Sequence, residues 1–126
     1  MIKFPGVDFK AGVEKMEDLM ILQKTYDMIQ YGYQALAQFP KSEKFALAAD
    51  MKRCMHAVLE YIIESHKKYY KKTTLQELDV EVAKLKVYMR LAKDLGFLPL
   101  KKYEVWSKMV VEIGKMVGGW IKAAKQ

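Results

Sequence analysis

The apolar residues of this 126-residue chain recur at alternating steps of three and four along four successive segments. That spacing places them on one side of an α-helix, whereas a half-buried β-strand needs a step of two. No segment shows the alternation of a strand. We therefore expect an all-α protein, and four amphipathic helices with short connections favour an antiparallel, up-and-down four-helix bundle.

The domain organisation follows from the three prolines, because proline is rarely tolerated inside a helix. They stand at positions 5, 40 and 99. We expect an N-terminal arm over residues 1–15 and the bundle over residues 16–126. The expected core stripes of the four helices are, in order: Leu19, Leu22, Tyr26, Ile29, Tyr33, Leu36; Phe45, Ala48, Met55, Leu59, Ile62, His66, Tyr69; Leu75, Leu78, Val82, Leu85, Met89, Ala92; and Trp106, Met109, Val110, Ile113, Met116, Val117, Trp120, Ile121.

Local signals predict where the middle helices begin and end. Ser42 is the expected N-cap of the second helix. A capping box at either Thr73–Gln76 or Thr74–Glu77 predicts the start of the third helix, and Gly96 predicts its end.

Two helices carry apolar residues outside their main stripe. These are Ile21, Met28 and Ala35 on the first helix, and Val80, Val87 and Leu91 on the third. A second stripe suggests contact with another subunit, and a wide core-facing surface is an equal alternative.

The composition bounds the class of function. Twenty-two Lys and Arg against fifteen Asp and Glu give a net charge of +7, which favours an anionic partner such as nucleic acid. The one cysteine, Cys54, excludes an internal disulfide framework and suits a reducing compartment. No apolar run is long enough to cross a membrane, so we expect a cytoplasmic protein without membrane contact.

The sequence offers no catalytic or metal-binding motif. A di-iron bundle would need Glu-x-x-His on two helices, but Arg53 and Ile63 stand three residues before His56 and His66. We expect His66 to be buried and hydrogen-bonded instead. No phosphate loop, dinucleotide fingerprint or nucleophile elbow occurs. We therefore predict no enzyme activity, no metal and no cofactor.

Two glycines stand four apart in the fourth helix, at Gly114 and Gly118. Glycine costs about 1 kcal/mol relative to alanine inside a helix, so its presence calls for a structural reason. The two readings are a close contact with another helix or subunit, and a thin spot in the core.

Basic residues carry the remaining functional signal. Lys86, Arg90 and Lys93 share one face of the third helix. Like charges four residues apart repel by a few tenths of a kcal/mol unless an anion lies between them, so Lys86 and Arg90 are the first candidates for phosphate contact. A solvated charged surface is the alternative. The other candidates are Arg53, Lys67, Lys68, Lys71 and Lys72.

Three parts of the chain resemble a known family. Residues 39–45, residues 85–98 (apart from 87 and 88) and residues 112–121 resemble Avd, the accessory variability determinant of diversity-generating retroelements. The resemblance covers roughly residues 16–124. The wider superfamily includes four-helix bundles encoded in intervening sequences of bacterial 23S ribosomal RNA genes.

The resemblance implies a basic, non-enzymatic four-helix bundle that forms a homopentamer. Such proteins bind the retroelement's reverse transcriptase and nucleic acid (template RNA, cDNA or their hybrid), and they support mutagenic retrohoming. The family's basic pair falls on Lys86 and Arg90, and its C-terminal packing motif falls on Gly114, Gly118 and Trp120. Most positive charge here is lysine, which contacts phosphate as a point charge, so charge-driven rather than base-specific binding is expected. The alternative function is a structural or RNA-associated role of the intervening-sequence type.

Overall fold

The computed structural model describes residues 4–6 and 13–124, with side chains from residue 16 onward in the second range. It contains four α-helices: α1 (Val13–Leu36), α2 (Leu47–Lys67), α3 (Lys72–Asp94) and α4 (Leu100–Ala124), with a 3-10 turn at Lys41–Glu43. Each helix packs on the next, and α1 packs on α4, which closes the ring of four. The predicted all-α up-and-down bundle is confirmed. None of the described helices combines the length and the apolar character needed to cross a bilayer.

The third helix matches its predicted pattern throughout. All six residues of its expected stripe are at most 3% exposed: Leu75, Leu78, Val82, Leu85, Met89 and Ala92. Gly96 ends the helix with a positive φ of 83°, a conformation that glycine adopts without steric cost. The amide of Phe97 then donates a hydrogen bond to the carbonyl of Ala92 over 2.9 Å.

The core-facing side of α1 differs from the predicted stripe. Ile21, Met28 and Ala35, which were expected off the main stripe, are almost fully buried, whereas Tyr33 is exposed. On α1 the second set of apolar residues therefore belongs to a wide core surface and not to a subunit contact.

Gly32 explains how that surface fits the bundle. A Cβ built on Gly32 would lie 2.5 Å from Sδ of Met55 and 2.8 Å from Cζ2 of Trp106. Both of those side chains are completely buried. The absence of a side chain on α1 thus lets the largest ring of the core reach the centre of the bundle.

The predicted caps are wrong for both middle helices. Ser42 lies in the 3-10 turn, and α2 begins five residues later, where a Glu43 carboxylate oxygen accepts a 3.4 Å hydrogen bond from the Leu47 amide. Phe45, expected in the core, is 88% exposed ahead of that helix. The third helix begins at Lys72 with no side-chain cap. Thr74 is buried, and its hydroxyl accepts a hydrogen bond from Lys68.

The bundle has two distinct ends. At one end the loops α1–α2 and α3–α4 meet through Phe39 and Phe97, whose ring centroids are 5.8 Å apart. At the other end the α2–α3 turn approaches Trp120 near the end of α4. Of the predicted arm, Phe4 packs on the Tyr26 ring at 5.3 Å, and residues 1–3 and 7–12 lie outside the described residues.

Candidate nucleic-acid interface

Lys86 leans from α3 onto the backbone of α4. Its Nζ lies 3.3 Å from the position that a Cβ on Gly114 would occupy, and Cγ1 of Val82 lies 3.5 Å from the same point. A side chain at Gly114 would crowd this cation, so the glycine gives it room. At Gly118, by contrast, no atom lies within 4 Å of a built Cβ, and the position is open.

Lys93 and Arg90 continue this side of α3. Nζ of Lys93 lies 5.1 Å from the ring centroid of Tyr103 on α4, a cation–π distance. Nε of Arg90 donates to both carboxylate oxygens of Asp94, at 3.1 and 3.2 Å. Both bonds use Nε, so the two terminal nitrogens of Arg90 keep their N–H donors, and such an exposed pair contributes little stability.

A row of four lysines runs along the outer side of α4, and sequence analysis missed it. Its members lie seven residues apart and are all exposed: Lys101, Lys108, Lys115 and Lys122. Within the described part of the chain, no carboxylate lies within the 4.0 Å of an ion pair from any of their ammonium groups. The seven-residue spacing was the available signal, because it keeps residues on one line of a helix.

These two rows form one surface, which we call the α3–α4 basic face. Its cations are Lys72, Lys86, Arg90, Lys93, Lys101, Lys108, Lys115 and Lys122. By helical position Asp79, Asp94, Glu104 and Glu112 share it, so the face holds four of the chain's seven net positive charges. The positive charge of the protein is therefore concentrated on one side.

The lysines at the end of α2 adjoin this face at one end of the bundle. Nζ of Lys68 donates to the Thr74 hydroxyl at 3.3 Å, and Nζ of Lys71 lies 5.6 Å from the Trp120 ring. Trp120 is half-buried and packs on the core. Lys72 lies fourteen residues before Lys86 on the same line of α3, about 21 Å away at 1.5 Å per residue.

Two tyrosines stand among those lysines, and sequence analysis did not single them out as a pair. Tyr69 and Tyr70 are each 87% exposed, with ring centroids 4.8 Å apart and planes at 83°. The sequence placed Tyr69 on the buried stripe of the second helix, which is wrong because α2 ends at Lys67. The signal was the segment itself, in which two tyrosines are flanked by two lysines on each side.

Arg53 lies apart from the other candidates. Nη2 of Arg53 bonds the Asp50 carboxylate at 2.8 Å, and this bond raises the pKa of the guanidinium. Arg53 belongs to α2, which packs on α3 and α1 but not on α4 within the described residues. Lys86 faces α4 instead, so the body of α3 separates the two cations.

The titratable groups in the interior do not form a site. Nδ1 of His66 lies 3.0 Å from a carboxylate oxygen of Asp18, and its side chain is 6% exposed. This confirms the expected buried, hydrogen-bonded histidine. Burial, and then the charge of Glu81, raises the pKa of the Cys54 thiol to about 11. Over residues 4–6 and 13–124, no three metal-binding side chains come together.

The outer side of α3 also presents an apolar stripe. Val80, Val87, Leu91 and Leu95 are between 44% and 68% exposed. Two of them, Val80 and Val87, lie one heptad apart, and the stripe points away from the core seam of the helix. The second apolar stripe of α1 is buried in the core, whereas no other part of the described chain packs on this stripe of α3.

The chain is similar in sequence to one protein family and in fold to a solved structure. No curated protein matches it. Among solved structures, a protein of unknown function of the S23 ribosomal protein family from Bacteroides thetaiotaomicron VPI-5482 superimposes with a TM-score of 0.77. It is 16% identical, and the match covers 85% of this chain and 99% of that one, which establishes a shared fold. The sequence profile of the bAvd-like family matches residues 19–124, nearly the whole described bundle, and the chain therefore belongs to the bAvd-like family.

Proposed function

We propose that this protein is a non-enzymatic accessory factor that binds nucleic acid and a reverse transcriptase, in support of mutagenic retrohoming by a diversity-generating retroelement. Membership of the bAvd-like family supports the biological setting. In this role the protein holds template RNA, cDNA or their hybrid near the polymerase, and it requires no cofactor. We place it in the cytoplasm.

The observation that carries the nucleic-acid proposal is the α3–α4 basic face. Its α4 lysines stand at seven-residue intervals, so the row from Lys101 to Lys122 extends for about 32 Å. The phosphates of a duplex hold condensed cations, and a row of ammonium groups that neutralises these phosphates gains affinity by releasing those cations into solution. Lysine contacts phosphate without the paired geometry that base recognition needs.

Assembly multiplies this charge. We propose a homo-oligomer, a pentamer by family resemblance, in which the apolar stripe of α3 meets a second copy of the chain. The support is the exposure of three apolar side chains on α3 and of Leu95 directly after it, a pattern that monomeric proteins rarely keep open to water. Several copies would gather their basic faces into one extended cationic surface.

Charge-matched variants test the nucleic-acid proposal. One variant replaces the four α4 lysines by Gln (Lys101→Gln, Lys108→Gln, Lys115→Gln, Lys122→Gln). The control makes four Gln substitutions elsewhere, at Lys41, Lys44, Lys52 and Lys84, so both chains lose the same charge. In fluorescence anisotropy with labelled RNA and DNA, the first variant should lose affinity at least tenfold more than the control. Equal losses would show that net charge and not this face determines binding.

The reverse-transcriptase partner needs its own experiment. We expect the protein to co-purify with a reverse transcriptase encoded beside it, and the complex should survive nuclease treatment. A complex that disappears with the nucleic acid would contradict direct docking.

The second candidate is a role of the ribosomal intervening-sequence type, which the shared fold with the S23-family structure favours. Genomic context separates the two. A reverse-transcriptase gene with paired repeats next to this gene supports the first function, whereas a position inside a 23S ribosomal RNA gene supports the second.

A further inference from the structure

The turn between α2 and α3 combines aromatic exposure with dense positive charge. We call residues 67–72 the tyrosine turn; it reads Lys-Lys-Tyr-Tyr-Lys-Lys. Its two tyrosine rings are 87% exposed, more than any other aromatic side chain of the described bundle except Phe45. The rings meet edge to face, which leaves ring faces open to solvent. Neither tyrosine contributes to the core.

A cavity of about 360 Å³ opens beside these rings. Tyr69, Tyr70 and Trp120 line it together with Lys71 and Lys72. Its volume falls in the lower part of the range typical of small-molecule sites. Three aromatic side chains and two cations thus converge on one concave surface.

We propose that the tyrosine turn and Trp120 form a stacking site for unpaired bases of single-stranded nucleic acid. This inference rests on the proposed nucleic-acid binding and adds the kind of strand that the end of the bundle accepts. Proteins that bind single strands without sequence preference combine a basic track for phosphates with aromatic faces for bases. The tyrosine turn provides both within six residues.

The charged residues that line the cavity are consistent with a base bound inside it and the phosphates of the strand held at its rim. Glu17 and Asp18 line the wall that α1 contributes, and their carboxylates disfavour a phosphate in the interior. The two lysines of the lining, Lys71 and Lys72, belong to the turn. A strand would therefore place its backbone over the lysines and a base against the rings.

The stacking site also joins the larger surface. Lys72 belongs both to the cavity lining and to the α3–α4 basic face, which begins at this end of the bundle. A duplex bound along that face could continue into an unpaired end at the tyrosine turn. A hybrid of template RNA and cDNA with a single-stranded overhang has this form.

Binding to single-stranded and duplex oligonucleotides of the same sequence tests the inference. The variant Tyr69→Ser, Tyr70→Ser removes both rings and no charge, and Tyr69→Phe, Tyr70→Phe keeps the rings as the control. Both sites are exposed, and thermal unfolding followed by circular dichroism checks that the bundle is intact.

We expect the Ser variant to bind the single strand at least about fivefold more weakly, since the bases lose the aromatic rings on which they stack. Its affinity for the duplex should change less than about twofold, and its salt dependence should stay the same because no cation is lost. The Phe variant should bind like the wild-type protein.

Other outcomes overturn the inference in distinguishable ways. Undiminished single-strand binding by the Ser variant, or an equal loss on both forms, would remove the stacking site and leave the basic face in place. Loss of reverse-transcriptase binding alone would assign the tyrosines to protein docking. Wild-type protein that binds neither form would reject the proposed nucleic-acid function itself.

Discussion

Nζ of Lys86 on α3 lies 3.3 Å from the point where Gly114 on α4 would carry a Cβ. The absence of a side chain at Gly114 therefore has a specific effect. It lets the Lys86 ammonium group lie against α4, between the basic residues of α3 and those of α4. This contact connects the packing motif of the C-terminal helix with the surface proposed to bind nucleic acid.

The first prediction concerns Gly114→Ala. The crowding atom is the flexible end of a lysine, which can move by a few tenths of an ångström at little cost. Alanine is favoured over glycine in a helix by about 1 kcal/mol, so we expect the free energy of unfolding to rise by up to that amount. Urea denaturation measures it. Gly118→Ala, at an open position, is the control and should give a similar gain; a marked loss at Gly114 alone would show that Lys86 cannot move.

Gly32→Ala should have the opposite effect. Its Cβ would collide with Met55 and Trp106, both completely buried, and neither can shift without disturbing the core. Overpacking of this kind costs about 1–3 kcal/mol, which outweighs the gain in helix propensity. We expect a lower urea midpoint than that of Gly118→Ala. A midpoint equal to the wild-type value would mean that the centre of the bundle has room for a methyl group at this position.

The single thiol should be unreactive in the folded protein. Burial and the nearby charge of Glu81 raise the pKa of Cys54 to about 11, above its ordinary 9.0. The folded state therefore favours the protonated thiol, and this stabilisation is complete below pH 9 and is lost as pH rises towards 11. We expect negligible labelling by a thiol reagent at pH 8 until urea is added.

The pH dependence has a direct control in Cys54→Ala. The two proteins differ only at this position, so the difference between their stability curves reports the thiol. Stability should fall more steeply between pH 9 and 11 in the wild-type protein than in the variant. Parallel curves, or rapid native labelling, would contradict the buried position of Cys54.

The apolar stripe of α3 predicts the assembly. Val87 is 68% exposed in the single chain, so Val87→Gln should leave the fold intact and weaken contact with a second copy. Size exclusion with light scattering should show an oligomer for the wild-type protein and smaller species for this variant. Val111→Gln, on α4, is the control and should keep the wild-type mass. A wild-type monomer at micromolar concentration would remove the proposed scaffold.

The sequence predicts the buried side of a helix best where the apolar residues are confined to one face. The α3 stripe was predicted in full because polar residues surround it on both sides. On α1, apolar residues occur nearly all round, as in the run Leu19 to Leu22, so periodicity alone does not select the buried side. The actual seam passes through Gly32, whose small size matters only once Trp106 is placed against it.

The residues of the candidate site likewise separate into those that spacing predicts and those that only the packing of the helices reveals. Spacing alone predicts the basic face of α3, whereas on α4 the strong apolar stripe dominates the pattern and obscures the lysines on the opposite side. Charge alone groups Arg53 with Lys86, and only the packing of α2 and α4 on different sides of α3 separates the two cations. The tyrosine turn was hidden by a stripe whose spacing continued past the end of α2.

The salt dependence of nucleic-acid affinity tests the central claim most directly. Lys86→Glu with Arg90→Glu reverses two charges on the α3–α4 basic face, and Lys84→Glu with Arg53→Glu reverses two charges away from it, one on α3 and one on α2. For RNA and DNA of any sequence, the first pair should weaken binding at least tenfold. It should also reduce the magnitude of the slope of log affinity against log salt concentration by about one to two. The second pair should change both far less. Equal effects of the two pairs, or an unchanged slope for the first with the bundle still folded, would contradict the account.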